Sequence, residues 1–179
     1  MYDKTLRLGG KRVTLVALTE EHTPLIVRWR NNPAVCQNLY SQAAIIAESH
    51  LRYFETQVTT GLCAQFIICI NEHMKPIGSV FLKNIDMENR KAEYGIFIGE
   101  DDARGKGYGA DATRLIVEYG FNTLGLQRIY LSVLSDNSAA IASYERTGFC
   151  REGLLRHDFF SRGQYHDVVL MAWLKDEKM

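Results

Sequence analysis

The spacing of apolar residues along the chain predicts a mixed order of strands and helices. A first strand is predicted over residues 13–18, and a helix that Thr19 caps follows it to about Arg30. Pro33 interrupts the helical pattern, and a second helical stretch is predicted over roughly residues 43–57. The chain is therefore expected to begin with one strand and two helices.

Strand patterns dominate the middle and the end of the chain. Alternating or continuous apolar runs bounded by turn residues predict six more strands, and 3.6-residue spacing predicts two more helices. In chain order these are strands near 66–70, 77–81 and 91–99, a helix over 107–123, a strand at 128–134, a helix at 138–146 and a hairpin that turns at 161–164. We therefore predict an α/β (α+β) fold: a mixed, mostly antiparallel sheet of about seven strands with a central β-α-β crossover, flanked by about four helices.

Composition narrows the class of protein. The 179 residues fit one domain over 1–179, because no linker or repeat divides them. Lys plus Arg equals Asp plus Glu at 21 each, which argues against a nucleic-acid partner because that needs a clustered basic face. No apolar run suits a signal peptide or a membrane span, and the four cysteines lack metal-ligand spacing. We expect a cytoplasmic protein with no membrane partner and no metal.

A glycine-rich segment lies between a predicted strand and a predicted amphipathic helix, and it reads Arg104-Gly105-Lys106-Gly107-Tyr108-Gly109-Ala110. Amides at a helix N-terminus have no intrahelical acceptor, and glycines allow a close approach, so the segment predicts an anion cradle. A nucleotide P-loop is excluded because Gly107, not Ser or Thr, follows Lys106. A dinucleotide-binding pattern also fits the glycines, but it would follow a later strand of the chain instead of the first one. An ordinary glycine turn that caps a helix is the remaining alternative.

Two ordered motifs together resemble the GNAT acetyltransferases. Arg104, Gly107 and Gly109 match the family's pyrophosphate loop, Gln/Arg-x-x-Gly-x-Gly/Ala. The second family motif, N-x-x-A-x-x-x-Y-E-x-x-G-F, is matched by Asn137, Ala140, Tyr144, Glu145, Gly148 and Phe149. The resemblance runs through nearly the whole chain and is weaker at the N-terminal end. It implies the GNAT fold and an acetyl-CoA-dependent N-acetyltransferase that acts on a small-molecule or peptide amine.

The resemblance also implies where acetyl-CoA, the co-substrate, binds. The core that holds it is expected at about residues 64–174, and the helices at about 19–60 are expected to shape the acceptor site. Backbone groups of Ile98 and Gly99 are expected to pair with the pantetheine amides as an added strand does. The amides expected to hold the pyrophosphate are those of Gly105, Lys106, Gly107, Tyr108, Gly109 and Ala110. Asn137 is expected to support the splayed strand or touch pantetheine, and a plain helix cap fits it equally well.

The implied chemistry is direct attack of an amine on the thioester within a ternary complex. By resemblance, Tyr144 donates a proton to the departing CoA thiolate. Glu93 is the candidate general base, because it shares a strand face with Gly95, which is expected to leave open space beside the carboxylate. A solvated glutamate on an edge strand is an equal alternative. Three weaker candidates on the closing hairpin are expected to flank the turn instead: His157, Asp158 and Asp167.

The acceptor amine is suggested by two further resemblances. The stretch from Trp29 to Pro33 resembles acetyltransferases of nucleotide-linked amino sugars, so Trp29 and Arg30 are candidate substrate-binding residues. Helical periodicity offers the alternative of a core tryptophan beside solvated arginines. The closing segment, residues 159–171, resembles spermidine acetyltransferases and enzymes that acetylate ribosomal-protein N-termini. A polyamine requires carboxylates, and the predicted acceptor half offers few: Glu20, Glu21, Glu48 and Glu55.

The amino-sugar acceptor is accordingly the favoured prediction, with a polyamine or a ribosomal-protein N-terminus as the alternative. A non-enzymatic alternative is a regulatory module that binds acetyl-CoA without turnover, although a pure binder has no use for the proton donor Tyr144. Family members often form homodimers, and the exposed edge of the final hairpin is the expected place for such a contact.

Overall fold

One mixed sheet of eight strands runs through the computed structural model, which describes residues 2–40 and 42–176. The strands are β1 (Arg7–Gly9), β2 (Val13–Ala17), β3 (Ala64–Ile70), β4 (Lys75–Asp86), β5 (Lys91–Ile98), β6 (Arg128–Leu134), β7 (Cys150–Ser161) and β8 (Gln164–Leu174). The helices are α1 (Thr23–Arg30), α2 (Pro33–Cys36), α3 (Ala47–Tyr53), α4 (Tyr108–Asn122) and α5 (Ser138–Thr147). The predicted single domain also includes positions 1, 41 and 177–179, which lie outside the described residues.

The sheet order is β1-β2-β3-β4-β5-β6-β8-β7. Every neighbouring pair is antiparallel except β5 and β6, which run parallel and are joined through α4. The parallel pair requires a crossover because strands that run in the same direction cannot be joined by a tight turn. The mostly antiparallel sheet with a central β-α-β unit is thus confirmed.

Three local predictions in the N-terminal half differ from the structure. The eighth strand, β1, has only three residues and too short an apolar pattern to be recognised. Pro33 does not simply interrupt a helix; it begins α2, whose Ala34 amide donates to the Asn32 side chain at 3.0 Å. The second long helix begins at Ala47 instead of near residue 43, and a π-helical turn over Phe54–Val58 extends it.

The sheet is buried on both faces. One core lies against α4 and α5, and its largest buried side chain is Trp173. The other core lies against α1 to α3 and contains Trp29. Strand β3 contributes side chains to both cores, because successive residues of a strand point to opposite faces. Phe66 and Ile68 belong to the first core, and Ile67 and Cys69 belong to the second. The cofactor motifs and the predicted acceptor helices therefore lie on opposite faces of the same sheet.

Strands β5 and β6 diverge along their length. Their register covers only Lys91–Glu93 of β5, paired with Arg128–Tyr130 of β6. On its other side β5 stays paired with β4 as far as Ile98. The second half of β5 consequently presents one backbone edge to a wedge-shaped gap, open toward the carboxyl ends of the two parallel strands. Open α/β sheets bind ligands at this end of their strands.

Across residues 2–40 and 42–176, no helix is long and apolar enough to cross a membrane. Within the same ranges, no group of three or more His, Cys, Asp or Glu side chains is arranged to hold a metal ion. The cytoplasmic location stays a prediction.

Candidate active site

A cavity of about 520 Å³ fills the gap between β5 and β6. Its volume is in the range that small-molecule and cofactor sites occupy. The walls come from the end of β5, the glycine-rich segment 104–110 (the glycine loop), the start of α4 and one face of α5. Residues of α2 and the turn after it form a further wall that the sequence did not predict: Ala34, Val35, Asn38 and Leu39.

The glycine loop presents a run of free amides at the mouth of this cavity. Among the described residues, none of the N–H groups of residues 105–110 donates to a backbone carbonyl. Gly105 and Gly107 have φ angles of +72° and +81°, a left-handed conformation that side chains with a Cβ rarely adopt. Gly107 is also the N-cap residue of α4, directly before its first residue. Unpartnered amides at a helix N-terminus form a site for an anion, because the helix dipole adds partial positive charge there.

Two arginines hold the glycine loop in place. The Arg104 Nε donates to the carbonyl of Ile98 at 3.1 Å, and its Nη2 lies 2.8 Å from the carboxylate of Asp101. This ties the first residue of the loop to the end of β5. The second arginine is Arg12, whose Nη1 donates to the Lys106 carbonyl at 3.1 Å. Arg12 could not be recognised from the sequence, because its contacts join residues that are far apart in the chain.

The other predicted cofactor-binding residues are not all at the cavity. Ile98 lines it, and so does Asn137, whose Oδ1 also accepts from the Ala140 amide at 3.2 Å and caps α5. Gly99 lies outside the cavity wall. Its amide donates to the Ile77 carbonyl at 2.7 Å, and a Cβ placed on it would come within 2.1 Å of the Trp29 ring. The Gly99 N–H is therefore already used within the protein, and the glycine is required by packing.

Tyr144 lines the cavity from α5. Its ring makes edge contacts with Tyr94 and Phe149, at centroid distances of 5.8 and 5.9 Å. Desolvation by these surroundings raises the pKa of Tyr144 to about 12. Its phenol therefore stays protonated at neutral pH, as a proton donor must. The Tyr94 hydroxyl in turn lies 2.7 Å from Thr113 Oγ1, which donates to the carbonyl of Gly109 in the loop.

Glu93 lies where β5 and β6 begin to diverge, but not in an open slot. Its two carboxylate oxygens are each engaged at 2.9 Å, one by the Lys83 ammonium and the other by the Asn84 side-chain amide. The open space expected above Gly95 is absent. A Cβ on Gly95 would come within 2.3 Å of the Phe81 ring, so that expectation was wrong and Gly95 makes room for an aromatic side chain.

The two predicted acceptor residues on α1 have different surroundings. Trp29 is only 1% exposed, packs against Phe97, and donates from its indole nitrogen to Glu100 at 2.7 Å. It occupies the core, which is the alternative that helical periodicity offered. Arg30 is half-buried, and desolvation lowers its pKa, opposed by the nearby Cys36 and Tyr53.

Tyr40, which the sequence prediction did not name, lies close to two of the candidate carboxylates, and we call this group the Tyr40 cluster: Tyr40, Glu93, Asp158 and Phe159. The Tyr40 hydroxyl donates to Asp158 at 3.2 Å, and its ring lies 4.8 Å from that of Phe159. Burial raises the pKa of Tyr40, and the charges of Asp158 and Glu93 add to the effect. The cluster combines two carboxylates with two aromatic rings, which are the groups that attract organic ammonium ions.

The remaining hairpin candidates have structural roles. Strand β7 loses its register with β8 between Leu155 and Phe159. In this bulge His157 takes a positive φ of 53°, donates its amide to the Asp167 carboxylate at 2.8 Å, and stacks on Tyr165. Three residues of β7 stand here opposite one of β8, so Asp158 lies in the bulge outside the regular pairing, and its carboxylate accepts from the Tyr40 hydroxyl.

Comparison with known proteins shows a family model and a relative that match most of this chain. The family model described as an acetyltransferase (GNAT) domain matches residues 12–150. An uncharacterised N-acetyltransferase, p20, of Bacillus licheniformis is 34% identical over 173 residues, which cover 95% of this chain and 97% of the relative.

Two spermidine acetyltransferases are also similar. The spermidine N(1)-acetyltransferase of Escherichia coli K12 is 40% identical over 95 residues, 53% of this chain, and the match spans only about half (50%) of that relative's length. A crystal structure of the Vibrio cholerae spermidine N-acetyltransferase with CoA and spermine superposes with a TM-score of 0.88 at 27% identity. That superposition covers 94% of this chain and 98% of the V. cholerae chain.

Proposed function

The chain belongs to the acetyltransferase (GNAT) domain family, and from that premise we propose that it transfers an acetyl group from acetyl-CoA to a primary amine. One observation carries the proposal: a wedge between two parallel strands opens onto a run of unpartnered amides at one end and the Tyr144 side chain on its wall. The free amides suit a pyrophosphate, and the free edge of β5 suits the amide-containing pantetheine arm. An ordinary helix-capping turn accounts for neither the cavity nor its position.

In the proposed reaction both substrates bind together and the amine attacks the thioester carbonyl directly. A nitrogen–carbon bond forms, and the carbon–sulfur bond breaks. Tyr144 is the proposed donor of a proton to the departing sulfur, and its raised pKa of about 12 keeps it protonated until that step. The proton that the amine loses is proposed to pass to Glu93, directly or through water. Once Glu93 has released this proton to solvent, Lys83 stabilises the Glu93 carboxylate for the next turnover.

We propose a polyamine such as spermidine as the acceptor. The Tyr40 cluster supports this choice, since Asp158 places a carboxylate beside the Tyr40 and Phe159 rings, and the charge of Glu93, which is paired with Lys83, also acts on Tyr40. A polyamine carries several ammonium groups, so it gains from charges that a neutral acceptor would not use. The similarity to two spermidine acetyltransferases points the same way.

The amino-sugar acceptor is not favoured by the site. It depended on Trp29 and Arg30, and Trp29 is buried in the core, where it contacts Phe97 and Glu100. Its ring has no free face for a nucleotide sugar. A homodimer and a single-domain chain stay predictions.

The proposal is tested by CoA-thiol release from acetyl-CoA with three acceptors: spermidine, a nucleotide-linked 4-amino sugar and a peptide with a free N-terminus. Turnover is expected to be highest with spermidine. The Gly107→Glu variant is the control, because a side chain at φ +81° is strained and its charge would repel phosphate. Highest turnover with another acceptor would overturn the polyamine assignment alone. Tight CoA binding without turnover of any acceptor would show a binding module instead of an enzyme.

A further inference from the structure

Arg12 reaches the glycine loop from the opposite end of the chain. It directly precedes β2, yet its Nε donates at 2.6 Å to Asp111 Oδ2, a residue 99 positions away. Its Nη1 donates to the Lys106 carbonyl at 3.1 Å, and its guanidinium carbon lies 5.3 Å from the centre of the Tyr108 ring. A Cβ placed on Gly107 would come within 2.9 Å of its Nη2. One guanidinium therefore contacts both the loop and the first turn of α4.

The contact with Lys106 fixes the direction of an amide in the loop. The carbonyl of Lys106 and the N–H of Gly107 belong to one planar trans peptide, so they point in opposite directions. When Arg12 binds the carbonyl, the Gly107 N–H is held facing away from Arg12. Gly107 alone would rotate freely, because glycine has few conformational restrictions. Arg12 thus restrains one glycine-containing peptide of the run that carries the free amides.

The contact with Asp111 removes an unfavourable charge. A carboxylate in the first turn of a helix is stabilised by the helix dipole, but it repels an anion that binds at the same end. Asp111 lies in the first turn of α4, and its side chain is 24% exposed. Arg12 neutralises it at 2.6 Å, whereas Arg114 approaches its other oxygen only to 3.5 Å. The Arg12 guanidinium is itself 48% exposed and adds positive charge beside the loop.

We infer that Arg12 is a positioning residue for the phosphate groups of CoA: it orients the Gly107 amide through Lys106 and neutralises Asp111. The inference rests on the proposed function in one respect, the binding of the CoA pyrophosphate by the glycine loop. It does not depend on which amine is acetylated, so CoA binding alone can test it.

Calorimetric titration of the protein with CoA is the first measurement. Arg12→Met should raise the Kd for CoA about five- to tenfold, the scale of losing one charge interaction at a helix terminus together with one hydrogen bond. The kcat at saturating acetyl-CoA should not change, because Arg12 touches no reacting atom. Arg12→Lys should lie between the wild type and Arg12→Met, since lysine keeps the charge but cannot form both directed contacts. Adding Asp111→Asn to Arg12→Met should recover part of the lost affinity.

Controls separate this inference from a general loss of structure and from failure of the proposed function. Arg52→Met removes an ion pair of the same residue type far from the loop in the chain, with Glu48 at 4.0 Å, and should leave the Kd unchanged. If Arg12→Met binds CoA like the wild type while Gly107→Glu does not bind, the role of Arg12 is wrong and the proposed cofactor site stands. If Gly107→Glu also binds CoA normally, the glycine loop is not the pyrophosphate site and both proposals fail. A fall in kcat and thermal stability with an unchanged Kd would show that Arg12 is only structural.

Discussion

The glycine loop and the Tyr40 cluster are built in opposite ways. The glycine loop is one continuous segment, and its proposed binding groups are backbone amides that the glycines and the start of α4 leave free. The Tyr40 cluster draws on the turn after α2, on β5 and on the bulge of β7, and its groups are side chains. Residues 40 and 158 are separated by 118 positions. On the proposed function, acetyl-CoA is thus bound mainly by local structure, and the amine by side chains that only the tertiary fold brings together.

Tyr144→Phe should give the largest effect on rate, and it should separate catalysis from CoA binding at the glycine loop. Removing the hydroxyl should lower kcat about 100-fold, the lower end of what a positioned proton donor contributes. The Kd for CoA should stay the same, because the ring remains and the free amides of the loop are unchanged. Steady-state kinetics and calorimetry measure the two quantities.

Tyr119→Phe is the matched control for this prediction. Tyr119 lies on α4, packs against Phe66 of β3 and is absent from the cavity wall. It should keep the wild-type kcat. A Tyr144→Phe variant with wild-type kcat would exclude Tyr144 as the proton donor and would favour a protein that releases the thiolate without acid catalysis.

Asp158→Asn should give a smaller effect, confined to the acceptor. The substitution keeps the size of the side chain and removes one charge from the Tyr40 cluster, so the KM for spermidine should rise about three- to tenfold. The KM for acetyl-CoA should not change. Initial rates with each substrate varied in turn measure both constants.

Glu48→Gln is the control, because Glu48 is a strongly exposed carboxylate on α3 that the sequence offered for polyamine binding. It should leave both KM values unchanged. Equal effects of the two substitutions would mean that spermidine responds to the overall charge of the protein, and the Tyr40 cluster would lose its assigned role.

The same contrast explains how much of the molecule could be predicted from its sequence. Period-two and period-3.6 patterns are local, so they identified seven strands and the crossover through α4. They missed β1 because three residues carry too little pattern. The glycine loop could be recognised because its binding groups are backbone amides, and the glycines that expose them lie close together in the sequence. Arg12 was not, since nothing in the residues around it indicates a partner 99 positions away.

Gly95 and Trp29 show a second limit. A glycine on a strand face indicates that something approaches closely, but not what approaches, and at Gly95 it is the Phe81 ring instead of a substrate. Likewise Trp29 belongs to a short motif that resembles a substrate site, and its ring fits against Gly99 in the core. In both cases the side chain that fills the space comes from another element, and only the fold brings the two together.

The smallest effect concerns pH, and it tests the surroundings of Tyr144 instead of its presence. A phenol ordinarily has a pKa of 10.0, and burial raises that of Tyr144 to about 12. A proton donor is active below its pKa, so the kcat at saturating substrates should show no decline from about pH 8 to about pH 10.5. A falling limb centred near pH 10 would mean that the cavity is wetter than its packing indicates.

The raised pKa of Tyr144 also predicts that the folded protein loses stability at alkaline pH. The unfolded chain ionises this tyrosine first, so unfolding is favoured between pH 10.0 and about 12. Tyr144→Phe should lessen that alkaline loss, as urea unfolding of the two proteins at about pH 11 would measure.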